Sequence, residues 1–125
     1  MRKPVMAGNW KMNKNWAEAV VLAQHIVNKY EGKWDNVEVV LCPPAIDAKA
    51  VYSVIEFDRL EDIVHVGGQN CHWEESGAFT GEISVGMLSA IGATHCIVGH
   101  SERRGYFGET DMDVNRKVKA LLAAQ

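Results

Sequence analysis

The sequence has no long apolar segment, few cysteines and no large excess of charge of either sign. No run approaches the roughly 20 apolar residues of a membrane-spanning helix, and the apolar stretch near the N-terminus is too short for a signal peptide. The three cysteines are odd in number and widely spaced, which favours a reducing compartment over a disulfide framework. We therefore expect a cytoplasmic protein with no membrane partner.

Composition excludes two further classes of protein. The net charge is −3 and the Lys and Arg residues are scattered, so the chain lacks the basic footprint of a nucleic-acid-binding protein. With 47% hydrophobic and 23% charged residues, disorder is not expected. A length of 125 residues fits one domain and leaves no room for two.

Apolar runs bounded by turn residues alternate with segments of helical spacing along the chain. Strands are expected at residues 4–9, 37–42 and 63–68, with a fourth starting at Thr94. A first helix is expected after a cap in Asn13-Lys14-Asn15, with Trp16 to Tyr30 at helical spacing and Gly32 as its stop. Further helices are expected at 48–60, at 85–91 after the cap Ser84, and after a cap at Thr110 or Asp111. This alternation predicts the α/β class, with a parallel sheet whose strands are covered on both faces.

Two of the expected strands end in polar groups. The first carries Asn9 and Lys11 on one face, because side chains alternate along a strand. The fourth leads directly into His100 and Glu102, followed by two arginines. Parallel α/β proteins place their chemistry at the carboxyl ends of strands, so we expect the site there.

Three motifs resemble the triosephosphate isomerase family, in that family's order and spacing. They are Asn9-Trp10-Lys11-Met12-Asn13, Gly77-Ala78-Phe79-Thr80-Gly81-Glu82 and Gly99-His100-Ser101-Glu102-Arg103-Arg104. The resemblance covers the whole chain. It implies that residues 1–125 are a single domain, the N-terminal (βα)4 half of a TIM (β/α)8 barrel, with the C-terminal half absent. A complete barrel has eight strands and about 250 residues.

The resemblance also implies a reaction and roles for four residues. The family interconverts dihydroxyacetone phosphate and glyceraldehyde 3-phosphate through an enediolate. Lys11 would be the cation that faces the substrate, with Asn9 helping to bind it. His100 would be the electrophile, acting as a neutral imidazole at the start of a helix, as is known for that enzyme. Glu102 would have a positioning or proton-transfer role.

Partners follow from the same resemblance. Thr80, with Phe79 beside it, would reach a neighbouring subunit, so a homo-oligomer or a complementing C-terminal half is expected. No cofactor is implied, and no metal: the pairs Cys71-His72 and His95-Cys96 match no common zinc spacing.

The chain departs from the family pattern at the general base. In the family, that base is a glutamate that follows the sixth strand, and no such strand is expected here. Glu102 is a poor substitute, since Arg103, Arg104 and the expected neighbour Lys11 occupy its oxygens. General-base catalysis contributes about 10²–10⁴-fold to a rate. We therefore expect the isolated chain to have little or no isomerase activity.

Two other functions remain open from the residues alone. The first is a self-associating half-barrel scaffold, because an unclosed sheet has two hydrogen-bonding edges. The second is an anion-binding module that uses Lys11 and the helix N-terminus after His100.

Overall fold

The computed structural model describes residues 2–125. Over these residues the chain forms four strands and five helices. Strands and helices alternate until the fourth strand, which two helices follow. In chain order the elements are β1 (Val5–Asn9), α1 (Trp16–Val27), β2 (Glu38–Cys42), α2 (Ala45–Phe57), β3 (Val64–Gly68), α3 (Val85–Ala90), β4 (His95–Cys96), α4 (Ser101–Phe107) and α5 (Asp111–Ala123).

The four strands form one parallel sheet in the order β1-β2-β3-β4. Val5 pairs with Glu38, Val40 with His65, and Gly67 with His95. Consecutive neighbours of this kind, each joined by a helical crossover, give a curled half-barrel. The expected α/β class and the four parallel strands are confirmed.

The main core lies between the sheet and the first two helices. Its members are aliphatic residues from α1, α2, β2 and β3, and all are at most 4% exposed: Ala19, Ala23, Val27, Leu41, Ala48, Val51, Ile55, Val64 and Val66. Burying one Val or Ile side chain stabilises a fold by about 1.5–3 kcal/mol. This layer therefore fixes the convex face of the sheet and leaves the concave face for other groups.

Strand β1 contradicts the expectation that every strand is covered on both faces. Val5 is 50% exposed and Met6 is 59% exposed. β1 is an edge strand with β2 as its one neighbour in the sheet. The apolar side chains of β1 are typical of a strand with a neighbour along each edge. In this sheet, one edge of β1 has no neighbouring strand.

Helix α1 ends before the expected boundary. It ends at Val27 and not at Gly32, and the next N–H groups, of Lys29 and Tyr30, bond three residues back to Ile26 and Val27 instead of four. Tyr30, expected on its apolar face, instead packs edge-on against Trp34 at 5.3 Å between ring centroids.

Helix α2 and strand β4 also differ from their expected extents. α2 begins at Ala45, three residues early, because Pro44 already has the fixed φ that suits a helix start. β4 contains two residues, whereas the apolar run from Thr94 suggested more.

Side-chain caps start three helices where the sequence placed them. Asn15 and Thr110 each accept a hydrogen bond from a backbone N–H in the first turn, and each is part of a reciprocal capping box. Ser84 accepts from the N–H of Met87 at the start of α3. None of the helices in this part of the chain is both long and apolar enough to cross a membrane.

Asp47 is an exception among the polar side chains of the fold. It lies in the first turn of α2 with 0% exposure, and neither carboxylate oxygen has a hydrogen-bond partner. Burial, and secondly the charge of Glu18, raise the pKa of this carboxyl group. A raised native pKa means that the folded chain binds its proton more tightly than the unfolded chain, so stability falls as pH rises through the unfolded value.

We predict that Asp47→Ala raises the free energy of unfolding at neutral pH. The substitution removes a buried group without partners, whose cost is about 1–3 kcal/mol. Urea unfolding should show the gain at pH 7 and a smaller gain in acid, where the wild-type carboxyl is protonated. Asp35→Ala, at an exposed position, is the control. A loss of stability at pH 7 would show that Asp47 has a stabilising partner.

Candidate functional site

The carboxyl end of β1 turns sharply at Lys11. The side-chain oxygen of Asn9 accepts a hydrogen bond from the Lys11 backbone N–H at 3.0 Å. The Asn13 side chain donates to the Trp10 carbonyl at 2.8 Å. Lys11 itself has φ +58°, a left-handed conformation that non-glycine residues rarely adopt. Such strain persists where surrounding contacts enforce it, and often marks a functional position.

Gln69 supplies one of those enforcing contacts. Its side-chain nitrogen donates to the Lys11 carbonyl and to the Cys42 carbonyl, each at 2.9 Å. Gln69 directly follows β3, and Cys42 ends β2. One amide therefore joins the carboxyl ends of two strands to the turn that carries Lys11.

The chain after β4 turns at Gly99 and enters α4 at His100. Gly99 has φ +68°, and a Cβ there would lie 3.1 Å from Val114 Cγ2, so glycine suits both the backbone and the packing. His100 is the N-cap of α4, and its Nδ1 accepts a hydrogen bond from the Glu102 N–H at 3.0 Å. A nitrogen that accepts carries no proton. The neutral ring in this geometry therefore has its proton on Nε2.

Glu102 joins the two polar strand ends. One of its oxygens lies 3.1 Å from Lys11 Nζ, and the other lies 3.6 Å from His100 Nδ1. The Lys11 and Glu102 side chains are 54% and 40% exposed, so water screens the pair and its contribution to stability is small. The arrangement sets a cation and an imidazole around one carboxylate at an open surface.

The two arginines of this stretch bind structural partners. Arg104 donates to the Gly99 carbonyl at 3.1 Å and to Asp111 at 2.8 Å, which ties the turn before His100 to α5. Arg103 Nε lies 3.4 Å from a Glu109 oxygen. The expectation that both arginines occupy the Glu102 oxygens is wrong, because Arg103 pairs with Glu109 and Arg104 with Asp111. Of the three cations expected beside Glu102, Lys11 contacts it.

Behind Arg103 lies a buried ion pair between Glu109 and Lys117. Their side chains are 3% and 5% exposed, and the Lys117 ammonium donates to Glu109 and, at 2.8 Å, to Asn70. Burial alone raises the pKa of Glu109, but the hydrogen bonds and charges of Lys117 and Arg103 outweigh it, so the pKa is lowered overall. This pair connects α5 to the loop after β3.

Thr80 and Phe79 lie in the loop between β3 and α3, away from the Lys11 turn along the chain. Phe79 is 43% exposed, and its ring packs on His72 with 4.4 Å between centroids. Both residues line an open cavity of ≈ 330 Å³ together with His72, Arg103 and Glu109. The structure thus gathers Asn9, Lys11, His100 and Glu102 around one strand-end surface, and places the loop residues on a neighbouring one.

The cysteines and possible metal ligands form no further centre. All three cysteines are free, and burial raises the pKa of the Cys42 thiol. Among residues 2–125, no three His, Cys, Asp or Glu side chains converge closely enough to hold a metal ion.

Sequence reasoning missed two features in and around the site: the role of Gln69 and the buried Glu109–Lys117 pair. Gln69 lies outside the three motifs and was given no role at the site. The Glu109–Lys117 pair had a visible signal, since Lys117 interrupts the apolar positions Val114, Val118 and Leu121 of α5. A lysine on the inward face of a helix requires a buried partner.

Comparison with known proteins gives a consistent result. The family model described as triosephosphate isomerase matches residues 4–125. The triosephosphate isomerase of Lactobacillus delbrueckii subsp. bulgaricus is 46% identical over 122 residues, which are 98% of this chain and 46% of that protein. That of Gloeothece citriformis is 50% identical over 125 residues, which are 100% of this chain and 49% of that protein. The chain spans about half the length of these curated relatives.

We predict that Gln69→Glu destabilises the turn at Lys11. A carboxylate cannot donate to the two carbonyl oxygens that the amide now serves, and each lost hydrogen bond at such exposed or half-buried positions costs about 0.5–1.5 kcal/mol. The free energy of unfolding should fall in urea titrations, and the amide resonance of Lys11 should shift strongly in ¹H–¹⁵N spectra.

The matched control is Gln125→Glu, the same exchange at an exposed position. It should leave both measurements at wild-type values. An unchanged Lys11 resonance in folded Gln69→Glu would contradict the proposed role of Gln69 in holding this turn.

Proposed function

Because the chain belongs to the triosephosphate isomerase family, we propose that it contributes the electrophilic part of a site for triose phosphates. The full site would interconvert dihydroxyacetone phosphate and glyceraldehyde 3-phosphate, a step of glycolysis and gluconeogenesis in the cytoplasm. The observation that carries the proposal is that Glu102 engages both residues: its carboxylate lies 3.1 Å from Lys11 Nζ, and its backbone N–H donates to His100 Nδ1 at 3.0 Å.

In this proposal Lys11 binds the negative charge of the substrate. Its ammonium is half exposed, and the pair with Glu102 is open to water, so an incoming phosphate or enediolate can compete for it. Asn9 supports this role indirectly through its hydrogen bond to the Lys11 backbone. The left-handed turn directs the lysine away from the strand and toward the open surface.

His100 is proposed to polarise the substrate carbonyl. Its Nδ1 is occupied by the helix backbone, which leaves Nε2 as the nitrogen available to donate to a substrate oxygen. Donors held in place by a helix start stabilise a developing enediolate charge without rearrangement. Glu102 is then a positioning residue that orients Lys11 and His100.

Proton abstraction requires a carboxylate that is free to act as a base. Within residues 2–125, the carboxylate at this surface is that of Glu102, and Lys11 already contacts it. The backbone N–H of Glu102 donates to the ring of the neighbouring His100. We therefore propose that a group outside these residues supplies the base. The 125-residue chain would bind an anionic analogue but would not turn over substrate.

The test combines a coupled isomerase assay with binding of 2-phosphoglycolate, an enediolate analogue, to the purified chain. We expect no turnover above background and analogue-dependent shifts of the His100 and Lys11 resonances. Lys11→Met should abolish the shifts, whereas Lys14→Met, a neighbouring exposed lysine also in a left-handed turn, should preserve them. Turnover near that of a complete enzyme would refute the need for an external base, and wild-type binding by Lys11→Met would refute the role of Lys11.

A second proposed function, a self-associating or complementing half-barrel, is favoured by the exposure of β1. Val5 and Met6 are 50% and 59% exposed, and β1 and β4 each have one free edge in this sheet. Open edges with apolar side chains favour pairing with another chain, either a second copy or a complementary half. Thr80 and Phe79, in the exposed loop before α3, would extend such an interface.

We predict that light scattering on the purified chain shows concentration-dependent association. Val5→Lys together with Met6→Lys should shift the chain toward monomer, because a charged edge opposes strand pairing. Val21→Lys, an equally exposed apolar position on α1, is the control and should leave association unchanged. A wild-type chain that stays monomeric at high concentration would refute the self-association.

A further inference from the structure

The concave face of the sheet carries a second polar cluster, made of Glu38, His65 and His95. His95 Nε2 lies 3.7 Å from Glu38 Oε1, and the two imidazole rings are 5.4 Å apart between centroids. The three residues belong to β2, β3 and β4. They lie near the amino ends of their strands, whereas Lys11 and His100 follow the carboxyl ends.

The sheet register explains why these side chains meet. His65 pairs with Val40, two residues after Glu38, and His95 pairs with Gly67, two residues after His65. Each member is therefore the diagonal neighbour of the next on the same face. Gly67 leaves the space open, since a Cβ there would lie 2.8 Å from Cys42 Sγ and 3.4 Å from His95 Cβ.

Strand β4 has few other attachments to the sheet. It pairs through Gly67↔His95 and Gly68↔Cys96, with flanking backbone hydrogen bonds from Thr94 to Val66 and from Ile97 to Gly68. His95 is the β4 side chain on the concave face, and its Nδ1 is held by the Thr94 hydroxyl at 2.8 Å. His100 follows this short strand, so loss of β4 would separate His100 from Lys11.

We propose that Glu38, His65 and His95 form a proton-sensitive contact that holds β4 on the sheet, and that charging both imidazoles releases β4 together with His100. Glu38 supplies one negative charge, which balances one imidazolium. A second imidazolium would be half-buried beside the first; Glu38 and Asp62 attract it, but burial and the charge of His95 outweigh them. This contact would control the assembly of the proposed site. Its geometry belongs to the fold, and the experiment that tests it uses no substrate.

The charges around His65 fix the direction of the effect. Burial is the main cause that lowers the pKa of His65, followed by the charge of His95 and, last, that of Lys3, while Glu38 and Asp62 oppose the shift. The folded chain then binds fewer protons at His65 than the unfolded chain does. Stability is thus full above the ordinary histidine value of about 6.5 and falls as pH decreases through it.

The test is amide hydrogen exchange at Thr94 and Ile97, whose N–H groups donate to β3, compared between about pH 8 and about pH 5.5, on either side of the ordinary histidine pKa. After correction for intrinsic exchange rates, we expect protection at both amides to fall several-fold at the lower pH. Protection at the β1–β2 pairing should change much less. In His65→Gln, which cannot charge, protection at Ile97 should vary little with pH.

His25→Gln, at an exposed position of α1, is the matched control and should behave as the wild type. The proposal is overturned if protection at Ile97 is independent of pH in the wild type, or if His65→Gln loses it in parallel with the wild type. If His65→Gln does not fold, NMR titration of the wild-type histidines takes its place. A His65 that titrates at or above the free imidazole value overturns the proposal. A His65 that titrates below it, with protection at Ile97 lost over the same pH range, supports the proposal.

Discussion

Backbone hydrogen bonds join β1, β2 and β3 in one parallel register, from Val5↔Glu38 to Leu41↔Val66. Because the strands run in the same direction, their carboxyl ends meet at one rim and their amino ends at the other. Lys11 follows the first strand at that rim, and Gln69 follows the third. The positions of Asn9, Lys11 and Gln69 depend on this register, since Asn9 lies on β1 and a slip of one residue would turn its side chain to the other face.

The parts of the fold that the sequence predicted are those determined by local chemistry. Apolar runs marked the strands, and Asn15, Ser84 and Thr110 marked helix starts, because a cap acts on backbone groups within its own turn. The meeting of Lys11 with Glu102 was also expected, since both follow the carboxyl ends of parallel strands. The strands and caps needed no information about distant residues, and the Lys11–Glu102 contact needed only the rule that parallel strands share one carboxyl rim.

The parts that sequence reasoning missed depend on contacts between distant positions. Gln69 donates to a carbonyl 58 positions away along the chain, and no local pattern marks that bond. The length of β4 is set by its one neighbouring strand and not by the apolar run that contains it. Exposure of β1 likewise follows from which strands are present beside it, which side-chain alternation does not encode.

At Lys11, the left-handed backbone and the proposed role of the side chain favour different residue types. At φ +58° a glycine would adopt the turn without the steric cost that a lysine bears. A glycine, however, would carry no positive charge to the surface that His100 and Glu102 share. In the proposed role of Lys11 that charge binds substrate, so a glycine at this position would relieve the backbone at the expense of substrate binding.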